Sequence, residues 1–402
     1  MSTVSLASAT RGSLIALRRE LHSRPELRFE EYETAARLAE RLDAAGFTVR
    51  TGIAGTGVIA SIGGPGPHVL LRADMDALPT PDLKQVPYAS RVPGVSHACG
   101  HDVHMTVVMG AGEILRAMGG IRGRLTLAFQ PAEEIPFGER SGARAMIEAG
   151  LLDAPPVDVA FGLHCWPSLR AGEVGVDRVV AMAAKDAFRI RIIGAAAHAA
   201  TPSRGRDAIL AVSQLVVSLH HLIAREIDPG ERAALNVGTI RGGSSQSIVP
   251  AVAEITGTLR TVDPDLRDRL RASIDRVAAA SAGLTRLDYE LEWANEMPEV
   301  RNDRVLVQRA IEVLPGVTEV RHVRLLDQPP MTTDDFALYA ERVPALYLKL
   351  GVCGTEAQCP PLHDGRFDVD EQAIDTGVAA LAALTTDVFE RSIQPEAEQW
   401  TR

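Results

Sequence analysis

Positive charge is in deficit along this 402-residue chain: 42 lysines and arginines face 52 aspartates and glutamates, a formal charge of −10 with a pI near 5.6. The acidic surplus is spread rather than gathered into a tail, so it serves solubility and argues against a nucleic-acid or anionic-membrane partner. Cysteine is as scarce. Four in 402 residues make no disulfide framework, and the expectation is free thiols available to metal. The first eleven residues lack a basic flank followed by an apolar run, which predicts no signal peptide. Apolar stretches are expected to be broken by charge short of the ~18 residues of a membrane span, which places the protein in the cytoplasm. Repeats and low-complexity tracts are missing too. The length, by contrast, exceeds one ordinary core and predicts two domains.

Periodicity divides what is there. Leu14, Leu17 and Leu21, then Ala35, Leu38 and Leu42, recur at helical spacing, with Gly46 closing the second helix. Val49 to Ile62 and Val69 to Ala73 have strand character. The Gly55-Thr56-Gly57 run between them invites a nucleotide-binding reading, but no helix follows, so it is a hairpin. Helices at about 105–118, 142–149, 303–314, 334–341 and 370–390 alternate with strands at 125–130, 319–325 and 345–350, which predicts a three-layer α/β domain. Between these parts runs strand 187–193, helix 207–226, strands 234–240 and 251–261, helix 264–282 and strand 286–293. That βαββαβ order is ferredoxin-like. The chain is therefore expected to be a discontinuous catalytic domain, 1–184 and 295–402, carrying an inserted ferredoxin-like α+β lid, 185–294.

Chemistry concentrates at Ser96-His97-Ala98-Cys99-Gly100-His101-Asp102-Val103-His104, and then at Glu133-Glu134, His164 and His363. A thiolate, imidazoles and adjacent carboxylates together suit one or two first-row divalent ions and a general base. Cys99 precedes a helix whose N-terminus Asp102 could cap and whose dipole would favour a thiolate. Glu133 and Glu134 leave a strand end in a Pro-Ala-Glu-Glu turn. Neighbours on an extended segment face opposite ways, so Glu134 is expected to ligate while Glu133 acts as base. Asp74, in the Arg72-Ala73-Asp74-Met75-Asp76 run, is a candidate to orient a ligand. Cys165, Cys353 and Cys359 show no ligand spacing and are taken as ordinary thiols.

These motifs resemble the zinc-peptidase and aminoacylase family of two-domain metallohydrolases. The similarity is to the amidohydrolase branch of hippurate hydrolases, N-acyl-amino-acid hydrolases and plant auxin-conjugate hydrolases. It is carried by LHSRPEL at 21–27, RADMDALP at 72–79, HACGHDVH at 97–104, FQPAEE at 129–134 and GLH at 162–164. Further along come AHAATP at 197–202, VGTI at 237–240, GTLRT at 257–261, DDF at 334–336 and Leu362-His363. The resemblance implies a site for two divalent ions bridged by Cys99, with His101, Glu134, His164 and His363 as the other ligands. It further implies that Glu133 takes a proton from water and returns it to the leaving amine. His198 would stabilise the oxyanion, on a partner subunit's site where the chain dimerises through the lid as family members often do, and Arg260 would hold the substrate carboxylate through its bidentate fork. Two departures touch the substrate side. Pro202-Ser203 stands where the branch usually has Pro-His, and Ser247 precedes Ile248-Val249-Pro250 where it usually has Asn. The turn after Glu134 also continues Ile135-Pro136-Phe137 in place of a glycine-rich run.

The expected activity is cleavage of an N-acyl-amino acid, a small-molecule substrate, into a carboxylic acid and a free amino acid. A metallo-carboxypeptidase or dipeptidase on the same scaffold is the alternative, and a metal-loaded binding protein without catalysis is the reading from another class. Cysteine and histidine favour zinc, but manganese, cobalt or nickel also suit the donor set.

Overall fold

The computed structural model describes residues 3–119, 121–354 and 359–391. Eight strands form one sheet in the order Thr48–Ile53, Gly57–Gly63, Arg124–Gln130, His68–Asp74, Val159–Arg170, Ala345–Cys353, Glu173–Asp177, His322–Leu326. Its centre is parallel: His68–Asp74 pairs in parallel with both neighbours, and Ala345–Cys353 pairs in parallel with Val159–Arg170. Parallel centres are covered on both faces. Helices Thr3–Ser23, His101–Met118 and Gln372–Arg391 lie over one face, with Leu14, Val107, Leu127 and Leu381 in their shared core. Gly142–Glu148 and Ala337–Ala340 cover the other with Met146, Phe336 and Tyr347. The result is the predicted three-layer arrangement.

The intervening segment folds on its own sheet, in the order Ala233–Gly242, Val252–Thr261, Ala184–Ile193, Asp288–Met297, with every pair antiparallel. Written in chain order that is 2-3-1-4, the ferredoxin-like topology. Helices Ala208–Glu226 and Pro264–Leu284 pack on one face through Leu215, Leu219, Leu270 and Ile274. Each is capped by an aspartate that the sequence placed just ahead of it: Asp207 accepts from the backbone N–H of Leu210 at 3.1 Å and Asp263 from that of Leu266 at 2.8 Å.

Three expectations are corrected here. Helix Ala208–Glu226 is long and apolar enough, by length and composition, to cross a membrane, because no charged residue interrupts it between Ala208 and Ala224. Its inner face is nonetheless spent on the insert's core. The helix expected from 105 begins at His101, and Asp102 caps nothing: its carboxylate accepts from Arg18 Nε at 2.8 Å and His22 Nδ1 at 2.7 Å. Cys353 and Cys359 are not free thiols but a disulfide that ties the end of a central strand to the loop before His363.

Candidate metal centre

The donors arrive from the start of helix His101–Met118, the turn after strand Arg124–Gln130, the interior of strand Val159–Arg170 and the loop that carries His363. Gly100 makes the turn into helix His101–Met118 with φ 86°, and a Cβ there would sit 2.8 Å from Cys165 Sγ. Only glycine tolerates both demands, and the turn sets Cys99 and His101 side by side. His101 donates from Nδ1 to the Asp76 carbonyl at 2.8 Å, and its Nε2 is buried without a hydrogen-bond partner. His164 donates from Nδ1 to the Cys165 carbonyl at 2.8 Å, leaving Nε2 3.4 Å from Cys99 Sγ. His363, itself at φ 67°, sets Nε2 2.9 Å from Glu134 Oε1. Backbone-anchored imidazoles with a bare second nitrogen are what a metal ligand requires.

Two groups of donor atoms share the Cys99 sulfur, Cys99 with His101 and His164, and Cys99 with Glu134 and His363. Within each, the donor atoms lie within 4.8 Å of one another. The orphaned His101 nitrogen and a sulfur common to both groups fit a pair of divalent ions. Charge points the same way. Asp74, Asp76, Glu133, Glu134, Asp334 and Asp335 crowd around the site, and Arg72 answers Asp74 and Asp335 at 2.7 and 2.6 Å. In the metal-free protein, protons make up the balance. Burial opposes charge on His101, but Asp74 and Asp76 outweigh it and push the imidazole up to about 10. Burial, then Glu134, Asp334 and Asp335, holds the Glu133 carboxyl well above the usual range. Burial and the carboxylates of Glu134, Glu133 and Asp74 likewise raise the Cys99 thiol, which corrects the expectation of a thiolate before metal: the helix dipole is outweighed. His164, buried and beside His104, falls to about 4 and is neutral. A site this acidic exchanges protons for cations.

The remaining candidates divide. Asp74 accepts from His104 Nδ1 at 2.6 Å, and His104 Nε2 accepts from the Cys165 N–H at 2.9 Å, so His104 has no nitrogen left for metal. Arg260 lines the cleft beside Glu133, Glu134 and His363, facing about 140 Å³ of room. His198 and Ser247 do not. They neighbour each other on a two-stranded ribbon, Ala197–His198 against Ile248–Val249, with Ala199 N–H donating to the Ser247 carbonyl at 2.9 Å, and they are exposed and outside the cleft.

Sequence reasoning missed three residues. Asp76 accepts from the backbone N–H of Glu133 at 3.0 Å and of Glu134 at 2.9 Å, so one carboxylate sets both ends of the pair. Its position two after Asp74 on an extended segment was the signal. Glu31 accepts from the Ala132 N–H at 3.0 Å and holds the turn from behind; one of three glutamates at 30, 31 and 33 around a helix start, it gave no signal. Lys185 lines the cleft next to Arg260. Burial and the Arg260 charge lower its ammonium, against Glu133 and Glu134, and burial likewise lowers Arg260 against Glu134.

The model of peptidase family M20/M25/M40 matches residues 70–387, and the chain belongs to that family. Among curated relatives, it is 36% identical to the N-acetyl-L-cysteine deacetylase of Bacillus subtilis, over 90% of this chain and 84% of that one. It is 33% identical to thermostable carboxypeptidase 2 of Saccharolobus solfataricus, over 92% and 94%. Among solved structures, the YXEP protein of Bacillus subtilis, described as a dinuclear metal-binding peptidase of family M20, superposes with a TM-score of 0.80 at 32% identity, covering 95% of this chain and 99% of that one.

Proposed function

We propose that the protein is a metal-dependent amidohydrolase that splits the amide of an N-acyl-amino acid, using two divalent ions held by Cys99, His101, Glu134, His164 and His363. The observation that carries this is the convergence of those donors around one sulfur with Glu133 beside them. It is supported by a deacetylase and a dinuclear metal-binding protein among the relatives. Bound cations would polarise the amide carbonyl and acidify water. Glu133 would take the proton and deliver it to the leaving nitrogen, a task that suits a carboxyl held above its usual range. Asp76, accepting from the backbone N–H groups of both Glu133 and Glu134, fixes where the proton is held. Asp74 acts through His104 and stands 3.8 Å from His101 Nε2, where it orients the ligand helix. Arg260 offers its remaining guanidinium N–H groups to the substrate carboxylate, since its side chain's one hydrogen bond among the described residues is to the Met331 carbonyl at 2.7 Å.

We assign 1–184 and 295–402 to the catalytic domain and 185–294 to the lid, in keeping with the two separate sheets. A homodimer through the lid supplies the partner's His198 as the oxyanion donor and brings Ser247 to the substrate. Its support is that both residues lie outside the chain's own cleft, on a lid whose edge strand Ala233–Gly242 and residues Leu210, Val217 and Ile240 are exposed. Zinc suits the thiolate and imidazoles best, with manganese, cobalt and nickel as the other fits. Cytoplasmic action is our reading for a site that depends on the free thiol of Cys99.

A carboxypeptidase reading rests on the named carboxypeptidase relative. One panel decides between the two: N-acetyl-amino acids and hippurate against free dipeptides and N-blocked peptides, on protein of measured metal content. Turnover of the first set, lost on chelation and restored by metal, is expected. Turnover of peptides alone favours the carboxypeptidase, and no turnover with metal bound favours a binding protein.

A further inference from the structure

Lys185 and Arg260 are direct register partners on antiparallel strands Ala184–Ile193 and Val252–Thr261, so their side chains leave the same face of the sheet. Both line the cleft opposite Glu133 and Glu134. Like charges placed directly across a strand pair destabilise it, and a partly buried ammonium without a partner adds a further cost. The chain has three lysines. Lys84 is 3.0 Å from Asp82 and Lys349 is 2.8 Å from Asp177. Lys185, among the described residues, has neither ion pair nor hydrogen bond. The glutamates across the cleft do not fill this role: Glu134 is engaged with His363, and the pair faces the donor cluster. Two adjacent cations remain, turned toward the space where substrate must lie, with apolar Trp166, Met182 and Met297 around them.

We propose that the substrate carries a second carboxylate beside the one held by Arg260, and that Lys185 receives it. The inference rests on the amidohydrolase reading and narrows it to N-acyl-amino acids with two carboxylates. One oxygen pair can satisfy the planar fork of Arg260 in bidentate fashion, which leaves the ammonium of Lys185 to a separate anion. The second carboxylate sits either on the amino-acid side chain or at the end of the acyl group.

Matched pairs on each side of the amide separate these sources. N-acetyl-L-glutamate is compared with its neutral isostere N-acetyl-L-glutamine, and N-succinyl-L-alanine with N-succinamoyl-L-alanine, by kcat/KM on metal-loaded protein. A preference for the diacid of roughly 10- to 100-fold in one pair is expected, the scale of a hydrogen bond between charged groups, and the pair that shows it identifies the source. In Lys185→Met the preference should fall to near one, while Lys185→Arg, which keeps the charge, should retain most of it. Equal rates within both pairs overturn the proposal, as they would if a single carboxylate bridged both cations, and so does a preference that survives Lys185→Met. Failure of the amidohydrolase reading looks different, since no compound would be hydrolysed. The four compounds are therefore also titrated calorimetrically into Glu133→Gln protein with and without Lys185→Met. Tighter binding of a diacid that depends on Lys185 supports the anionic subsite, and equal binding of acid and amide overturns it, whatever the turnover.

Discussion

The two walls of the cleft are built by opposite rules. The wall from the eight-stranded sheet is acidic, and its groups are fixed to backbone: His101 through the Asp76 carbonyl, His164 through the Cys165 carbonyl, Glu133 and Glu134 through their own N–H groups on Asp76. The wall from the four-stranded sheet is cationic, and Lys185 and Arg260 reach into the cleft on long side chains that few hydrogen bonds restrain. Reaction chemistry needs donors held to fractions of an ångström, whereas selection of a charged substrate needs a field and a few donors that adjust. On the proposed function, the inserted unit would carry selectivity and the α/β unit the reaction.

The largest effect that could break this division lies at Glu133. If it is the base and not a ligand, Glu133→Gln should lower kcat by about 10²–10⁴ while the metal content, read by elemental analysis, stays at the wild-type ratio. Loss of metal together with activity would move Glu133 into the ligand set, leaving the acidic wall without a separate base.

The next test asks whether the cationic side is complete within one chain. His198→Ala should lower kcat by roughly 10²–10³ with little change in KM or metal content, as removal of an oxyanion donor does. Because His198 lies outside its own chain's cleft, mixing His198→Ala with Glu133→Gln subunits at equal ratio should recover up to about a quarter of wild-type sites. Half the dimers are then mixed, and each holds one intact site. Absence of recovery despite proven subunit exchange would show that His198 serves its own chain or none.

How much of this was legible in the sequence follows from how local each feature is. The strand–helix alternation and the βαββαβ insert are set by short-range periodicity and turn chemistry, and the structure keeps them within a few residues. The donor cluster was legible because Cys99 and His101 open a helix and Glu134 follows a strand, whereas His164 lies inside strand Val159–Arg170 and not at its end. Long-range pairing was not. Asp102 looked like a cap because nothing nearby shows that Arg18 and His22, some 80 residues earlier, claim it. The thiolate expected at Cys99 ignored burial and the carboxylates brought in from two other segments, Glu133-Glu134 and Asp74. Helix 207–226 was legible from its period, but its freedom from charge over the length of a membrane span was not, because scattered serines and histidines interrupt its apolar run without adding charge. Lys185 gave no signal, since its meaning lies in Arg260, 75 positions away, being its cross-strand partner.

The smallest effect sharpens the contrast between two lysines. Lys349, beneath Trp166 at 4.6 Å from the ring centroid, is paired with Asp177, whose other oxygen is buried without a partner. Burial raises the Asp177 carboxyl to about 6 even against the attraction of Lys349. The folded state thus keeps a proton that the unfolded chain releases near 4. Stability from this group is greatest below about pH 4, declines as pH rises toward 6, and is level above that, a change of about 1–3 kcal/mol. Denaturant unfolding of wild-type protein, compared with the double variant Asp177→Asn, Lys349→Met, isolates the term from other titrating groups. The difference in stability should shift against the wild type between pH 4 and 6.5. A shift in the opposite direction would mean that the ion pair prevails over burial, and no shift would mean that Asp177 titrates as an ordinary carboxylate. The double variant also serves as the control for Lys185. It removes a buried lysine that already has its counter-charge, so the diacid-to-amide ratio of kcat/KM should survive. If that ratio collapses here as well, the preference belongs to the general positive field of the cleft rather than to Lys185, the one lysine without an ion pair among the described residues.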